Sequence, residues 1–365
     1  MIGTRIKTAR KKAGLSLRAL AAAIDHKVTA QAIGKYERNE SVPSSGVLIA
    51  LSKVLGVSIP FLLDTQGVQL IEVDFRTKAS TSAKDRAQVE VEVVEWVERY
   101  LQIETILGLE VATWNKPFNE LQCMNSISDA EKLAHDIRQA WNLGQDPIPN
   151  MTELLEEKGL KVLVRSLPAR VSGLTCLVNR KDHPETLPVI VVNQAFTLER
   201  RRLTLAHELA HRVIDPKGMN QKDLEKAATR FAGAFLVPKE HLLAEVGKIR
   251  SALGYRELVD LKRLYRVSAS ALLVRLRDIE VISDSIMTYV FQQVASTWRT
   301  KEPEPLEGQD DQGQQEIPKR FERLCYRALA EGFISVAKAA ELLRRPVDDV
   351  IYELRGPNWG NAHSR

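Results

Sequence analysis

Cysteine is scarce in this chain of 365 residues, which contains only Cys123, Cys176 and Cys325. The three lie far apart and form no C-x-x-C pair, which argues against a disulfide-stabilised secreted protein and for a reducing compartment. No apolar run reaches the roughly 18 residues that a membrane helix needs, and the first residues lack a signal-peptide pattern. These absences predict a soluble cytoplasmic protein with no membrane partner.

Acidic residues are scarce at the amino terminus. Residues 1–65 contain ten basic and four acidic residues, a net charge of +6, whereas the whole chain carries +5. A basic excess confined to one small segment is typical of a nucleic-acid-binding surface. Capping residues and glycines divide this segment into five predicted helices. They cover Ile6–Ala13, Leu17 to about Ile24, Thr29 to about Glu37, Pro43–Leu55 and Ile59–Leu63.

The middle of the chain contains the motif H-E-x-x-H at His207 to His211. Residues four apart share one face of a helix, so both imidazoles can bind the same metal ion. Glu208 follows the first histidine, where its carboxylate can act as general base on a water at the metal. The alternative is a buried helix in which the spacing of the two histidines is coincidental.

A catalytic zinc site needs a third protein ligand and an open fourth position. The stretch from Gln221 to Phe235 is predicted to form a second helix, which a short turn brings back beside the first. Its acids are Asp223 and Glu225. We favour Glu225, because Thr229 lies one turn later on the same face and can support it by a hydrogen bond. A solvated surface charge is the alternative for Glu225.

The runs RRLTLAHELAH (201–211) and EKAATRFAGAFLVP (225–238), in this order, resemble the ImmA/IrrE family of zinc metallopeptidases. The similarity extends over about residues 128–245. It implies that His207, His211 and Glu225 bind Zn²⁺ and that Glu208 is the catalytic base. The chain departs from the family at Thr229, where asparagine is usual.

The segments Leu15–Ala21 and Ile33–Arg38 resemble the XRE family of helix-turn-helix DNA-binding domains. In such a domain the amino-terminal residues of the second motif helix contact base edges in the major groove, and basic residues around it contact phosphates. The resemblance therefore implies DNA contacts by Arg18, Thr29, Ala30, Gln31, Lys35 and Arg38. Leu17 replaces a frequent glutamine, and the turn at 25–28 is about two residues longer than is usual in the family, so a domain reused for protein contacts is the alternative.

The expected fold is mainly α-helical, with an α+β zincin-like peptidase domain and an amino-terminal five-helix XRE-type helix-turn-helix domain. Strands are predicted at Lys161–Arg165, Leu174–Val178 and Val189–Asn193, with His183 in an exposed loop. The expected domains are 1–66 for DNA binding, 67–127 as a helical connector, 128–300 as the peptidase, 301–318 as a flexible linker and 319–365 as a small helical unit.

Two functions fit these features. In the first, a DNA-binding regulator in the bacterial cytoplasm, associated with the nucleoid, uses a zinc endopeptidase domain to cleave a repressor, an antitoxin or itself during a stress or mobile-element response. In the second, the zinc domain is only a sensor or scaffold. Double-stranded operator DNA and a protein substrate are the expected partners, and symmetric operators favour a homodimer.

Overall fold

The computed structural model describes residues 2–63, 67–74, 82–109, 114–167, 171–181, 183–298, 301–307 and 316–356. These residues are mostly helical and include one mixed sheet of four strands, which confirms the expected fold class. Within these ranges, no helix combines the length and the apolar character that crossing a bilayer requires.

Five short helices form the amino-terminal region, as predicted. They are α1 (Ile2–Lys12), α2 (Leu17–Ala23), α3 (Ala30–Glu37), α4 (Ser45–Leu55) and α5 (Ile59–Leu63). The side chains of Ser16 and Thr29 cap α2 and α3 by accepting hydrogen bonds from backbone N–H groups three residues later. In the turn between them, Asp25 and His26 both adopt positive φ angles of 56° and 52°. Asparagine, aspartate and histidine tolerate this conformation best among residues with a side chain, so the long turn is built from suitable residues.

The long helix α6 (Ala83–Ile106) connects the two halves of the chain. Its apolar residues face several directions, and both Val91 and Val97 are fully buried. Helix α1 packs on one side of α6, and Arg5 of α1 forms a buried ion pair with Glu98 at 2.8 Å. The amino-terminal domain is therefore joined to the rest of the protein by a packed interface.

The sheet has the strand order β1-β3-β4-β2. Its strands are β1 (Val68–Asp74), β2 (Lys161–Arg165), β3 (Gly173–Arg180) and β4 (His183–Asn193). Strand β4 pairs in parallel with β2 and antiparallel with β3, and β1 pairs antiparallel with β3. The three predicted strands are present, and His183 begins β4 instead of lying in a loop. Strand β1 was missed, so the expected helical connector over 67–127 begins with a strand that belongs to the sheet.

Eight helices of the described chain follow the connector. They are α7 (Asp129–Ala140), α8 (Met151–Glu157), α9 (Leu198–Val213), α10 (Gln221–Leu236), α11 (Lys239–Val246), α12 (Tyr255–Tyr265), α13 (Ala269–Asp278) and α14 (Asp284–Gln293). Of these, α8 packs on β2 and α9 packs on β3 and β4. A short 3-10 turn at Pro216–Gly218 separates α9 from α10 and returns α10 alongside α9. The apolar sides of both helices enter one core, in which Leu209 and Phe231 are fully buried.

The flexible linker expected over 301–318 is wrong at both of its described ends. Leu306 is fully buried, and its N–H donates to the Glu199 carboxylate at 2.9 Å. Glu316 is also buried, forms an ion pair with Arg202 of α9 and accepts hydrogen bonds from the N–H groups of Met151 and Thr152. The acidic composition predicted a solvated segment. Glu316 instead neutralises the buried guanidinium group of Arg202.

Three carboxy-terminal helices complete the described chain, namely α15 (Arg320–Ala330), α16 (Val336–Leu343) and α17 (Val347–Arg355). They do not stand apart, because the ring of Phe321 packs against Tyr100 of α6 with centroids 5.4 Å apart. Arg344 also forms an ion pair with Glu95 of α6 at 2.7 Å. A unit of this size has little core of its own, and docking on α6 supplies the missing burial.

Candidate metal centre and nucleic-acid interface

Helix α9 carries the H-E-x-x-H motif. Thr197 caps the helix, and its apolar side chains, such as Leu205 and Leu209, are buried against the core. This anchorage fixes the rotation of the helix and turns His207 and His211 to the same side. Their Nε2 atoms lie 3.2 Å apart.

Helix α10 brings the third donor. Glu225 approaches the histidine pair, with its Oε2 atom 3.3 Å from Nε2 of His207. The other candidate, Asp223, lies at the amino end of α10, where its carboxylate accepts from the Asn220 side chain at 2.8 Å and pairs with Lys226. The Asn220 hydrogen bond lowers the pKa of Asp223. Asp223 is therefore engaged in capping α10, away from the two histidines.

Donor atoms of His207, His211 and Glu225 all lie within 4.8 Å of one another. Zinc bonds of about 2.0–2.1 Å at tetrahedral angles place neighbouring donor atoms about 3.3 Å apart. The two measured separations of 3.2 and 3.3 Å match this value. Two imidazoles and one carboxylate also form a common ligand set of catalytic zinc, so these residues fit the ion in chemistry and in spacing.

Two neighbouring side chains orient these donors. The amide of Gln221 donates to Oε1 of Glu225 at 3.0 Å. Thr229 was expected to support the Glu225 carboxylate, but its hydroxyl donates to the Glu225 backbone carbonyl at 2.9 Å and lies 3.4 Å from Nδ1 of His207. A proton on Nδ1 leaves Nε2 available as a ligand atom. Sequence reasoning overlooked Gln221, although its spacing of four from Glu225 is a usable signal.

Glu208 of α9 is only 3% exposed. On β3, burial raises the pKa of the Cys176 thiol to about 12. The charges of Arg212 and Glu208 also act on this thiol, which indicates that Glu208 and Cys176 are neighbours. The carboxylate therefore occupies a largely water-excluded position, on the residue that directly follows His207. A buried carboxylate suits a general base, because exclusion of bulk water limits the loss of its proton to solvent.

Other histidines lie elsewhere. His241 contacts the hydroxyl of Tyr265 through Nδ1 at 2.7 Å, and His183 is exposed at the start of β4. Neither belongs to the cluster formed by His207, His211 and Glu225.

The expected DNA-contacting residues lie on and beside α3. Five of them are exposed and Ala30 is half-buried; the exposed ones are Arg18, Thr29, Gln31, Lys35 and Arg38. Helix α3 packs on α1 and α2, whereas α1 and α5 are the helices that pack on α6. The amino-terminal residues of α3 are therefore presented outward, as reading base edges requires.

Not every basic residue of this domain is available for phosphate. Arg10 of α1 makes two hydrogen bonds to Glu37, at 2.5 and 2.9 Å, and a third to the Leu15 carbonyl. Arg38 pairs with Glu40 at 2.6 Å on the surface, and this contact raises the pKa of Arg38. Exposed pairs of this kind are weak and exchange readily for a phosphate.

Comparison with protein families agrees with these two regions. Residues 155–277 match the family model of the IrrE N-terminal-like domain, and residues 6–62 match that of a helix-turn-helix domain. A comparison with curated proteins finds no match to the chain. Both matches fall on the elements described above, with α9 and α10 inside the first and α2 and α3 inside the second. The chain therefore combines a region that matches the helix-turn-helix family model with a region that matches the IrrE N-terminal-like family model, as the resemblance to a fusion of the XRE and ImmA/IrrE families implied.

Proposed function

We propose that this protein is a DNA-bound regulator whose IrrE-like domain is a zinc-dependent endopeptidase. The observation that carries the proposal is the cluster of His207, His211 and Glu225, whose donor atoms lie within 4.8 Å of one another, with His207 3.2 and 3.3 Å from the other two. The adjacent Glu208 adds the group that hydrolysis requires and that a purely structural zinc does not need.

His207, His211 and Glu225 hold the ion in this proposal, with Gln221 and Thr229 orienting two of them. Bound zinc supplies Lewis acidity, which activates water and polarises a peptide carbonyl. Glu208 accepts the proton of the attacking water and then delivers it to the amine that leaves when the peptide bond breaks. Burial of Glu208 keeps this proton within the site.

DNA binding by the amino-terminal domain positions this activity. We assign base contacts to Thr29, Ala30, Gln31 and Lys35 at the exposed start of α3, with the amide of Gln31 suited to adenine. Arg18 and Arg38 then contact phosphates. The domain spans about residues 1–66, binds a double-stranded operator and acts as a homodimer in the bacterial cytoplasm, at the nucleoid. The remaining domains are the connector to 127, the peptidase to 300 and the helical unit from 319.

The expected substrate is a repressor, an antitoxin or the chain itself. The test pairs the Glu208→Gln variant with the wild type in cells that also express a candidate repressor or antitoxin, taken from the neighbouring genes where these encode one. We expect both forms to bind zinc and operator DNA equally, while only the wild type converts this candidate into two fragments on an immunoblot.

A matched control is Glu240→Gln, which removes an exposed carboxylate of α11 outside the proposed site. This variant should cleave like the wild type. An identical cellular response from wild type and Glu208→Gln would refute the peptidase and favour the alternative, in which the zinc domain is a sensor or an interaction scaffold.

A further inference from the structure

Strand β1 comes from the segment that follows the amino-terminal domain, yet it forms an edge of the sheet beside α9. It runs antiparallel to β3, with Val68 opposite Arg180, Gln69 opposite Asn179 and Asp74 opposite Thr175. The outer edge of β3 from 175 to 180 is therefore occupied by the chain itself.

Strand β3 lies directly over the helix that carries Glu208. A side chain at Gly173 would approach Cγ2 of Thr204 to 2.6 Å, which shows how closely this end of β3 approaches α9. Farther along, the Cys176 thiol is within range of the charges of Glu208 and Arg212. The other sheet edge, β2, is separated from β3 by β4. The side of β3 that pairs with β1 is thus closer to the helix of the proposed general base than the sheet edge at β2.

An extended peptide binds a protein most readily by adding a strand to an open sheet edge, because its backbone N–H and C=O groups are then paired. We propose that β1 is an internal substitute for a substrate strand, so that an extended segment of a protein substrate pairs with β3 only after β1 has left it. This inference rests on the proposed peptidase function, and it names both the form of the substrate and the contact that restrains the site.

The two ends of β1 are held differently. At its start, the Val68 carbonyl accepts a hydrogen bond of 2.7 Å from Arg5 of α1, which ties this end to the DNA-binding domain. Toward its other end, the pairing with β3 is interrupted by a bulge between Ile71 and Asp74. Glu72 within the bulge adopts a φ of 50°, a left-handed conformation that is unfavourable for a residue with a side chain.

A weak ion pair lies at this end of β1. Glu72 forms an ion pair with Arg212 at 3.6 Å, and the Glu72 side chain is 65% exposed. Solvent screens an exposed pair of this kind, so it contributes little. Release of β1 therefore begins at the bulge beside α9, while Arg5 makes the position of the other end sensitive to movement of the DNA-binding domain.

A reversible lock tests this directly. Gln69 and Asn179 are exposed and face one another across β1 and β3. Facing residues of antiparallel strands have Cα atoms about 4.5–5.5 Å apart, which a disulfide can bridge. In full-length zinc-loaded protein with Gln69→Cys and Asn179→Cys, cleavage of a tryptic peptide library is followed by mass spectrometry. We expect at least tenfold slower cleavage in the oxidised form and full recovery on reduction. The single Gln69→Cys variant controls for other effects of oxidation, and it should cleave the library at the same rate in its oxidised and reduced forms.

A second variant loosens the strand. Gly67 has a φ of 58°, and a Cβ there would lie 2.8 Å from Cβ of Lys181, so Gly67→Ala disturbs the start of β1. Gly56→Ala is the matched control, with a φ of 59° and no atom within 4 Å of the added Cβ. We expect Gly67→Ala to accelerate both library cleavage and amide hydrogen exchange of residues 68–71, whereas Gly56→Ala should change neither.

The outcomes separate the two ideas. Equal cleavage by the oxidised and reduced lock overturns the inference and leaves the peptidase function intact. The inference is also overturned if amides 68–71 of the wild type exchange as slowly as those of the central strand β4, because β1 then opens only with global unfolding. Absence of cleavage by wild type and by every variant refutes the peptidase function itself, and with it a restraint on that site.

Discussion

Replacement of Gln221 tests the proposed metal centre without touching a ligand. Its amide donates to Oε1 of Glu225 at 3.0 Å, and Glu225 lies 3.3 Å from Nε2 of His207. In Gln221→Met the length and helix preference of the side chain are retained, but the hydrogen bond is lost. The Glu225 carboxylate is then free to rotate, and part of the zinc-binding free energy is used to order it.

The size of this effect follows from the exposure of the pair. Loss of a residue that orients a zinc ligand typically weakens zinc binding about 10- to 100-fold. Gln221 is exposed and the Glu225 side chain is 37% exposed, so water replaces much of the lost hydrogen bond. We therefore expect the lower limit, about tenfold, which corresponds to about 1.4 kcal/mol.

Zinc affinity is measured by competition with a chromophoric chelator, and stability by thermal unfolding with zinc in excess and with chelator. At a fixed excess of zinc, a tenfold loss of affinity lowers the stabilisation by zinc by about 1.4 kcal/mol, or roughly 2 °C in Tm for a chain of 365 residues. The chelated proteins should unfold alike. Lys222→Met, at the next position of α10, serves as control and should bind zinc normally. Wild-type zinc affinity in Gln221→Met would refute the reasoning.

Three further predictions concern stability and DNA binding. Arg202→Met leaves the buried carboxylate of Glu316 without its cation and should lower the free energy of unfolding by about 3–5 kcal/mol in urea titration, whereas addition of Glu316→Gln should recover most of the loss. A single mutant as stable as the wild type contradicts this. Gln31→Ala should reduce operator specificity, and Arg18→Ala should weaken binding to all sequences and reduce the salt slope by about one, as followed by anisotropy. Unchanged binding in both would exclude the assigned interface. Burial raises the pKa of Glu156 to about 8. In the unfolded chain this carboxyl loses its proton near its ordinary pKa, whereas in the folded protein it keeps the proton up to about pH 8. The free energy of unfolding should therefore fall by about 1.4 kcal/mol per pH unit between about pH 5 and 8, and Glu156→Gln should remove this slope.

Helices were the most predictable part of the fold. The caps at Ser16 and Thr29 and the glycine at Gly56, which takes a φ of 59°, act through contacts within a few residues. Such local signals can be recognised in the sequence without knowledge of the rest of the chain. The ligand histidines were predictable for the same reason, because a spacing of four on a helix determines their relative position.

The third donor was less predictable. Asp223 and Glu225 lie two residues apart on α10, and the choice between them depends on how that helix is rotated against α9. Burial of Leu224, Ala227 and Phe231 sets this rotation, and the Asn220 cap engages Asp223. The resemblance to a family favoured Glu225, and the packing of the helix explains the physical preference.

Contacts between distant segments were the least predictable. The acidic segment was expected to be a solvated linker, but Glu316 meets Arg202, a residue 114 positions earlier in the chain. The acidic residues of a solvated linker and of a packed segment look alike in the sequence. Only the position of the buried cations distinguishes the two kinds of segment. In the same way β1 is short and partly polar, and its place in the sheet depends on β3, about one hundred residues later in the chain.

By itself, the sequence determined the helices, the H-E-x-x-H motif and the basic amino-terminal domain, because each depends on interactions within a few residues or on composition. The sequence also favoured Glu225 over Asp223, but only the tertiary structure shows the packing that brings Glu225 to the histidines, the contacts of Gln221 and Thr229 with this cluster, and the pairing of β1 with β3. Each of these arrangements joins elements whose mutual orientation is set by burial in a shared core, and no local pattern encodes that orientation.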